Sequence, residues 1–284
     1  MVDFTCADSL SGVASCPTSR VIGGDGTNQS VTSDPATDHA GNSAHGRTVG
    51  GINIDGQAPQ TKANNLCTAT NGYCTGSTAT VTLRATDLGP AGVKEVHYSV
   101  NGGTGQVAAG ASIDVDVPLS GSGNATVDYY ALDRAGNQEP NNTIGLNYDN
   151  IAPTVTHTLT PTLNAAGWNA SDVTVHFSAR DDDTGSGVDP SSITSDVLVG
   201  DETSGQVVDG QAKDTAGNVG TDSVTAKLDK TQPAISGAIV SGAAGSNGWH
   251  TGPVTVHFTC SDALSAVVVC PDDVTLTGNG ATSP

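Results

Sequence analysis

Asp214-Thr-Ala-Gly-Asn218 is one of three copies of a phrase, Asp-x-Ala-Gly-Asn, that also stands at Asp38-His-Ala-Gly-Asn42 and Asp133-Arg-Ala-Gly-Asn137. Each copy is followed downstream by an Asp and then a Pro: Asp55 with Pro59, Asp149 with Pro153, Asp229 with Pro233. A phrase that returns at domain-sized intervals marks an array, so the fold has to be read per repeat. The phrase itself predicts a hairpin turn. Gly and Asn tolerate positive φ, and the Asp side chain accepts from backbone N–H groups ahead of it. Residues 207–213 and 219–228 then read as the last two strands of a repeat.

Working outward, Gly167-Trp168 leads into Val173-Thr-Val-His-Phe177, and Gly248-Trp249 leads into Val254-Thr-Val-His-Phe258. Phe4-Thr-Cys-Ala-Asp8 matches Phe258-Thr-Cys-Ser-Asp262, so the chain opens inside a repeat in this register. Four segments result: residues 1–59, a unit lacking its first strands; 60–153 and 154–233, two complete units; and 234–284, the opening fragment of another. Val173, Val175 and Phe177 share one face of a period-two strand and belong in a core, while Thr174 and His176 face outward. Trp168 is placed to close one end of that core with its N–H toward a partner. A glycan platform is the functional alternative for Trp168 and Trp249.

Aromatic residues make up 4% of the chain and there is one Met. Gly, Thr, Ser, Val and Asp dominate, which favours short strands joined by turns; no window shows a capped helical period, and the fold class expected is all-β. The net charge of −19, with ten Lys and Arg, argues against nucleic acid and anionic lipid and leaves metal cations as natural counter-charges. No stretch is apolar for the length of a membrane span. Cys6 with Cys16 and Cys260 with Cys270 occupy the same two places in different repeats, each second Cys preceding a Pro. The repeat between them has Ala179 and Asp189 there, so both members vanish together, as a bonded pair should. Cys67 and Cys74 make a third pair. Zinc is the competing reading, though no CxxC or CxxH spacing supports it. Disulfides imply an extracellular or cell-surface location.

Gly-Trp before Val-Thr-Val-His-Phe, then Phe-Thr-Cys-x-Asp-x-Leu-Ser, Asp-x-Ala-Gly-Asn and a strand closing on Asp with a nearby Pro, together resemble the bacterial immunoglobulin-like repeats of large secreted and cell-surface proteins, including adhesin stalks. Residues 60–153, with Tyr98-Ser-Val-Asn-Gly-Gly103, are similar to a sister group that lacks the Gly-Trp start. The resemblance implies tandem β-sandwiches of about seven strands with Greek-key connections, incomplete at both ends of this chain. In such a sandwich the loop after the second strand and the Asp-x-Ala-Gly-Asn turn share the pole nearest the preceding domain. Asp55, Asp87 and Asp133 are then expected to converge at one junction, and Asp149, Asp181 and Asp214 at the next. Three carboxylates with backbone carbonyls and water make the oxygen cage that Ca²⁺ prefers. The alternative is that each Asp caps its own turn.

No GxSxG, HExxH, Walker loop or nucleotide-binding glycine phrase occurs, and no enzyme activity is expected. The His residues are scattered, and His176 and His257 fall on the outward face of equivalent strands. The sequons at Asn28, Asn124, Asn141 and Asn169 read as exposed turns. The function expected is a non-enzymatic extracellular stalk or fibre. The alternatives are a module binding a glycan or a partner protein through its loops, and an accessory region of a secreted hydrolase. Self-association is also open. Residues 234–284 carry the strands that 1–59 lack, so one molecule's tail could complete the next molecule's head by strand addition, whereas an excerpt from a longer array needs no such exchange.

Overall fold

The computed structural model describes residues 1–67 and 69–278. The chain is a tandem array of immunoglobulin-like β-sandwich modules. It divides into two compact units, one formed by Met1–Ile151 with Thr184–Ser186, the other by Ala152–Asp183 and the chain from Gly187 onward.

In the first unit, residues 60–151 build two facing sheets. One has the order Ser112–Pro118, Thr78–Thr86, Gln60–Asn65; the other runs Gln106–Ala109, Val93–Val100, Ser122–Asp133, Asn142–Asp149, Tyr73–Cys74, Ala69–Thr70. The chain passes from the first sheet to the second after Thr78–Thr86, returns for Ser112–Pro118 and crosses again to Ser122–Asp133, the crossover connections of an immunoglobulin-like sandwich. Period-two patterning explains which side chains meet between them. Ala79, Val81, Leu83 and Ala85 alternate inward from one sheet, Ala125, Val127, Tyr129 and Ala131 from the other, and all are buried. Glu139 is buried as well. It accepts from the Ala131 N–H at 2.7 Å, the Thr61 N–H at 2.8 Å and the Thr61 hydroxyl, fastening the first strand to the opposite sheet. Residues 1–59 form a hairpin of Gly26–Thr32 with Thr48–Ile54 and a small sheet of Val13–Ser15, Ala36–Asp38 and Ser43–Ala44. Every buried apolar side chain of the unit's core cluster comes from beyond that segment.

In the second unit, Thr154–Thr160, Val173–Arg180 and Val197–Val199 face Val188–Asp189, Thr203–Asp214 and Val219–Leu228. Val173, Val175 and Phe177 are at most 2% exposed, and His176 points out, as the alternation requires. Gly210 lies across from Phe177, where an added Cβ would fall 2.2 Å from a ring carbon, so the wide ring fits because the facing residue has no side chain. Trp168 is half-buried, and its partner differs from the expected acceptor at the indole N–H: Lys227 Nζ lies 5.7 Å from the ring centroid, a cation over the π face. Beyond residue 233 the strands Ala234–Ser241, Val254–Ser261 and Val274–Leu276 form a separate three-stranded sheet.

All three cysteine pairs are disulfides: Cys6–Cys16, Cys67–Cys74 and Cys260–Cys270. Asn28, Asn124 and Asn141 are exposed as expected, although Asn28 and Asn124 lie within strands and not in turns, whereas Asn169 is buried, its N–H donating to the Lys227 carbonyl and its C=O accepting from the Asp229 N–H.

Candidate metal centre

Each Asp-x-Ala-Gly-Asn copy folds into the same turn. The Asn218 N–H donates to Asp214 Oδ1 at 2.8 Å and its side-chain amide to Oδ2 at 2.7 Å. The Asn42 N–H and amide reach Asp38 at 2.7 Å each, and the Asn137 N–H and amide reach Asp133 at 2.8 and 2.7 Å. Gly41, Gly136 and Gly217 take φ between 89° and 98°, which explains the glycine in the phrase. Its last residue is fixed by the bidentate grip of the Asn on the Asp.

The turn at residues 133–137 puts Asp133 at the foot of its strand, fully buried. Burial pushes the Asp133 carboxyl up, but hydrogen bonds from the Asn137 side chain and from the backbone N–H groups of Asn137, Gly136 and Ala135 outweigh it and hold the group below the ordinary carboxylate value. Asp87 follows the strand Thr78–Thr86. Its Oδ1 accepts from the Gly89 N–H at 2.9 Å, and its Oδ2 is buried without a hydrogen-bond partner among the described residues. Asp55 follows the strand Thr48–Ile54. Its Oδ1 accepts from the Gln57 N–H at 3.0 Å and its Oδ2 from the Ala91 N–H at 2.8 Å. The Asn137 amide also donates to the Asp55 carbonyl at 3.0 Å, linking this crossing to the turn. Gly89 makes room: a Cβ there would lie 2.1 Å from Asp55 Oδ1. Asp55, Asp87 and Asp133 thus each bring a carboxylate oxygen to within 4.8 Å of the other two.

Positive charge would ease such an arrangement. Like charges at this distance in a half-buried site repel, and a buried acceptor without a donor is costly. The donor set is all oxygen, with one carboxylate oxygen unspent, which fits a hard divalent cation such as Ca²⁺.

Of the second expected set, Asp149 belongs to the first unit and Asp181 and Asp214 to the second. Asp149 is buried, accepting from the Ile151 N–H at 3.0 Å and from the N–H of Ser186, which is grouped with the same unit, at 2.6 Å. Within the second unit, Asp181 and Asp214 approach within 4.8 Å, and Asp181 accepts from the Gly187 N–H at 2.7 Å.

Two further pairs of this kind were not anticipated. Asp229 accepts from the N–H groups of Thr231 and Ser265, each at 3.0 Å, and Asp262 Oδ1 gathers the N–H groups of Leu264, Ser265 and Ala266 at 2.8–3.1 Å. The Ser265 side chain is the main cause that holds the Asp229 carboxyl below its ordinary value. Asp8, capped by the N–H groups of Leu10 and Gly12 at 2.8 and 3.0 Å, does the same beside Asp38. The signal was in the sequence. Asp229 closes its repeat as Asp55 does, and Asp8 and Asp262 stand in the Phe-Thr-Cys-x-Asp phrase.

No protein-family model matches the chain, and no curated protein matches it. Among solved structures it is similar to the fibronectin(III)-like modules of CbhA from Clostridium thermocellum, at 15% identity and a TM-score of 0.31, over 59% of this chain and 95% of that one. It is also similar to a tetra-tandem repeat in the extending region of a large adhesion protein, at 18% identity and a TM-score of 0.28, over 88% of this chain and 71% of that one.

Proposed function

We propose that the chain is a non-enzymatic length of an extracellular stalk, in which the crossing from residues 1–59 into the following sandwich is fixed by Asp55, Asp87 and Asp133 with Ca²⁺. The observation that carries the metal is Asp87 Oδ2, a buried acceptor without a donor among the described residues, in a carboxylate that lies beside two others. Bound Ca²⁺ supplies the charge that cancels the repulsion among the three groups. The protein supplies their placement. N–H donors orient Asp55 and Asp133 from behind, Gly89 admits Asp55, and buried Pro59 limits rotation where one repeat passes into the next. A stalk needs such crossings because each sandwich is already rigid, so bending concentrates between them. The three disulfides support a position outside the cell, where they persist.

Hydrogen exchange of the full chain tests this reading. Exchange of the Gln57 and Ala91 amides is expected to slow on adding Ca²⁺ and to return in chelator. Equal exchange in both conditions would remove the metal and leave a stalk pinned by hydrogen bonds alone. Labelling of intact source cells with a membrane-impermeant reagent tests the location, and failure to label would contradict it.

A further inference from the structure

All five tyrosines lie between residues 73 and 148, so the chain concentrates its phenol rings in one repeat. We propose that the outer face of this repeat, centred on His97 and Tyr130, is a contact site for neutral pyranose sugars. His97 sits directly opposite Tyr130 in the pairing of Val93–Val100 with Ser122–Asp133. Their neighbours Val96, Val127, Tyr129 and Ala131 point into the core, which turns His97 and Tyr130 outward. The rings stack, with centroids 4.5 Å apart and planes 10° from parallel.

A cross-strand aromatic pair stabilises a sheet without any ligand. Here the pair borders a shallow depression of about 180 Å³, whose lining includes Gln106, Asp128 and Asn141. These side chains hold polar atoms that no described residue uses. His97 spends Nε2 on Glu95 at 3.0 Å and keeps Nδ1; Asp128 spends Oδ1 on the Thr143 hydroxyl at 2.6 Å and keeps Oδ2. Gln106 spends Oε1 on the Tyr98 hydroxyl at 3.4 Å and keeps Nε2, and neither the Tyr130 hydroxyl nor the Asn141 amide bonds another described residue. A pyranose matches this set because it presents a C–H face to an aromatic ring and hydroxyls that both donate and accept at its edge. The size admits part of one sugar ring, below the range of an enclosing pocket, so single-site affinity is weak and repetition along a surface would strengthen it. Glu95 and Asp128, on a chain of net charge −19, disfavour uronic and sialic acids.

The test is nuclear magnetic resonance of the full chain with ¹³C-labelled His and Tyr rings. It is titrated separately with methyl glucopyranoside, methyl galactopyranoside, methyl mannopyranoside and N-acetylglucosamine. At least one is expected to give saturable shifts at His97 and Tyr130, with a dissociation constant on the order of millimolar, while Tyr73 and Tyr148 hold still. Tyr130→Ala should weaken binding by about tenfold or more. Gln106→Ala, at an exposed site, should weaken it several-fold, with unshifted Val96 and Val127 methyl signals showing that the sandwich is intact. Absence of saturable shifts with every sugar, as a face built for a protein partner would give, overturns the proposal. So does binding that persists unchanged in both variants.

Discussion

The Ala91 N–H donates to Asp55 Oδ2 at 2.8 Å, tying the Asp that closes one repeat to the loop of the next. The same arrangement recurs. In Asp55, Asp149 and Asp229, Oδ1 accepts from the N–H two residues on, at Gln57, Ile151 and Thr231, all at 3.0 Å. In each, Oδ2 accepts from a loop N–H, at Ala91, Ser186 and Ser265. Both oxygens are used, and in different directions, so the carboxylate acts as a cross-brace for the backbone as it leaves the strand.

Gly89 is the tightest point of that brace. Gly89→Ala would place a methyl group 2.1 Å from Asp55 Oδ1, against a side chain already held by two N–H groups. The expected cost is about 1–3 kcal/mol, from overpacking and loss of the Ala91 bond. Chemical denaturation in chelator checks it, and an unchanged midpoint would show that Asp55 moves aside freely.

The second unit has a comparable constraint in its core. Gly210→Ala drives a Cβ into the Phe177 ring, 2.2 Å from its nearest carbon, and should cost about 1–3 kcal/mol. Phe177→Leu alone leaves space and should also destabilise, by about 1–3 kcal/mol. Combined, the two changes should cost less than their sum, because the added methyl occupies volume the ring vacated. Additive losses in a denaturation double-mutant cycle would contradict direct packing of these residues.

Asp133 gives the fold an acid limit. Its folded-state value is lowered by the Asn137, Gly136 and Ala135 donors, although burial alone would raise it. A group depressed on folding contributes stability that is complete above its unfolded value of about 3.9 and is lost as pH falls through the folded value below that. Urea midpoints measured in chelator from neutral to acid pH should therefore decline below about pH 4, and less steeply in Asp133→Asn. Parallel curves for the two proteins would show that Asp133 is not among the groups that carry acid unfolding.

Much of this architecture was legible because it is local or repeated. The Asp-x-Ala-Gly-Asn turn is closed by residues four apart, the alternation of Val173, Val175 and Phe177 sets their burial, and the joint absence of cysteines at Ala179 and Asp189 marked the pairing. The convergence of Asp55, Asp87 and Asp133 followed from repeat register and the geometry of a sandwich pole. What escaped depends on long-range register. His97 meets Tyr130 only through the pairing of two strands far apart in sequence, and Glu139 reaches Thr61 across the sandwich. Asn169 looked exposed because its sequon suggested a turn, yet a short parallel bridge to Leu228 buries it.

The most direct test of the account is calorimetric titration of Ca²⁺ into the full chain and into Asp87→Asn. The substitution removes the carboxylate charge whose Oδ2 has no donor among the described residues, while leaving the Asp55–Ala91 brace in place. The wild-type chain is expected to show saturable binding with a dissociation constant of about 10⁻⁴ M, in the range of extracellular calcium modules. Asp87→Asn should lose that component, with exchange at Ala91 in chelator unchanged. Heats of dilution alone in the wild type, or superimposable isotherms for the two proteins, would contradict a cation at Asp55, Asp87 and Asp133.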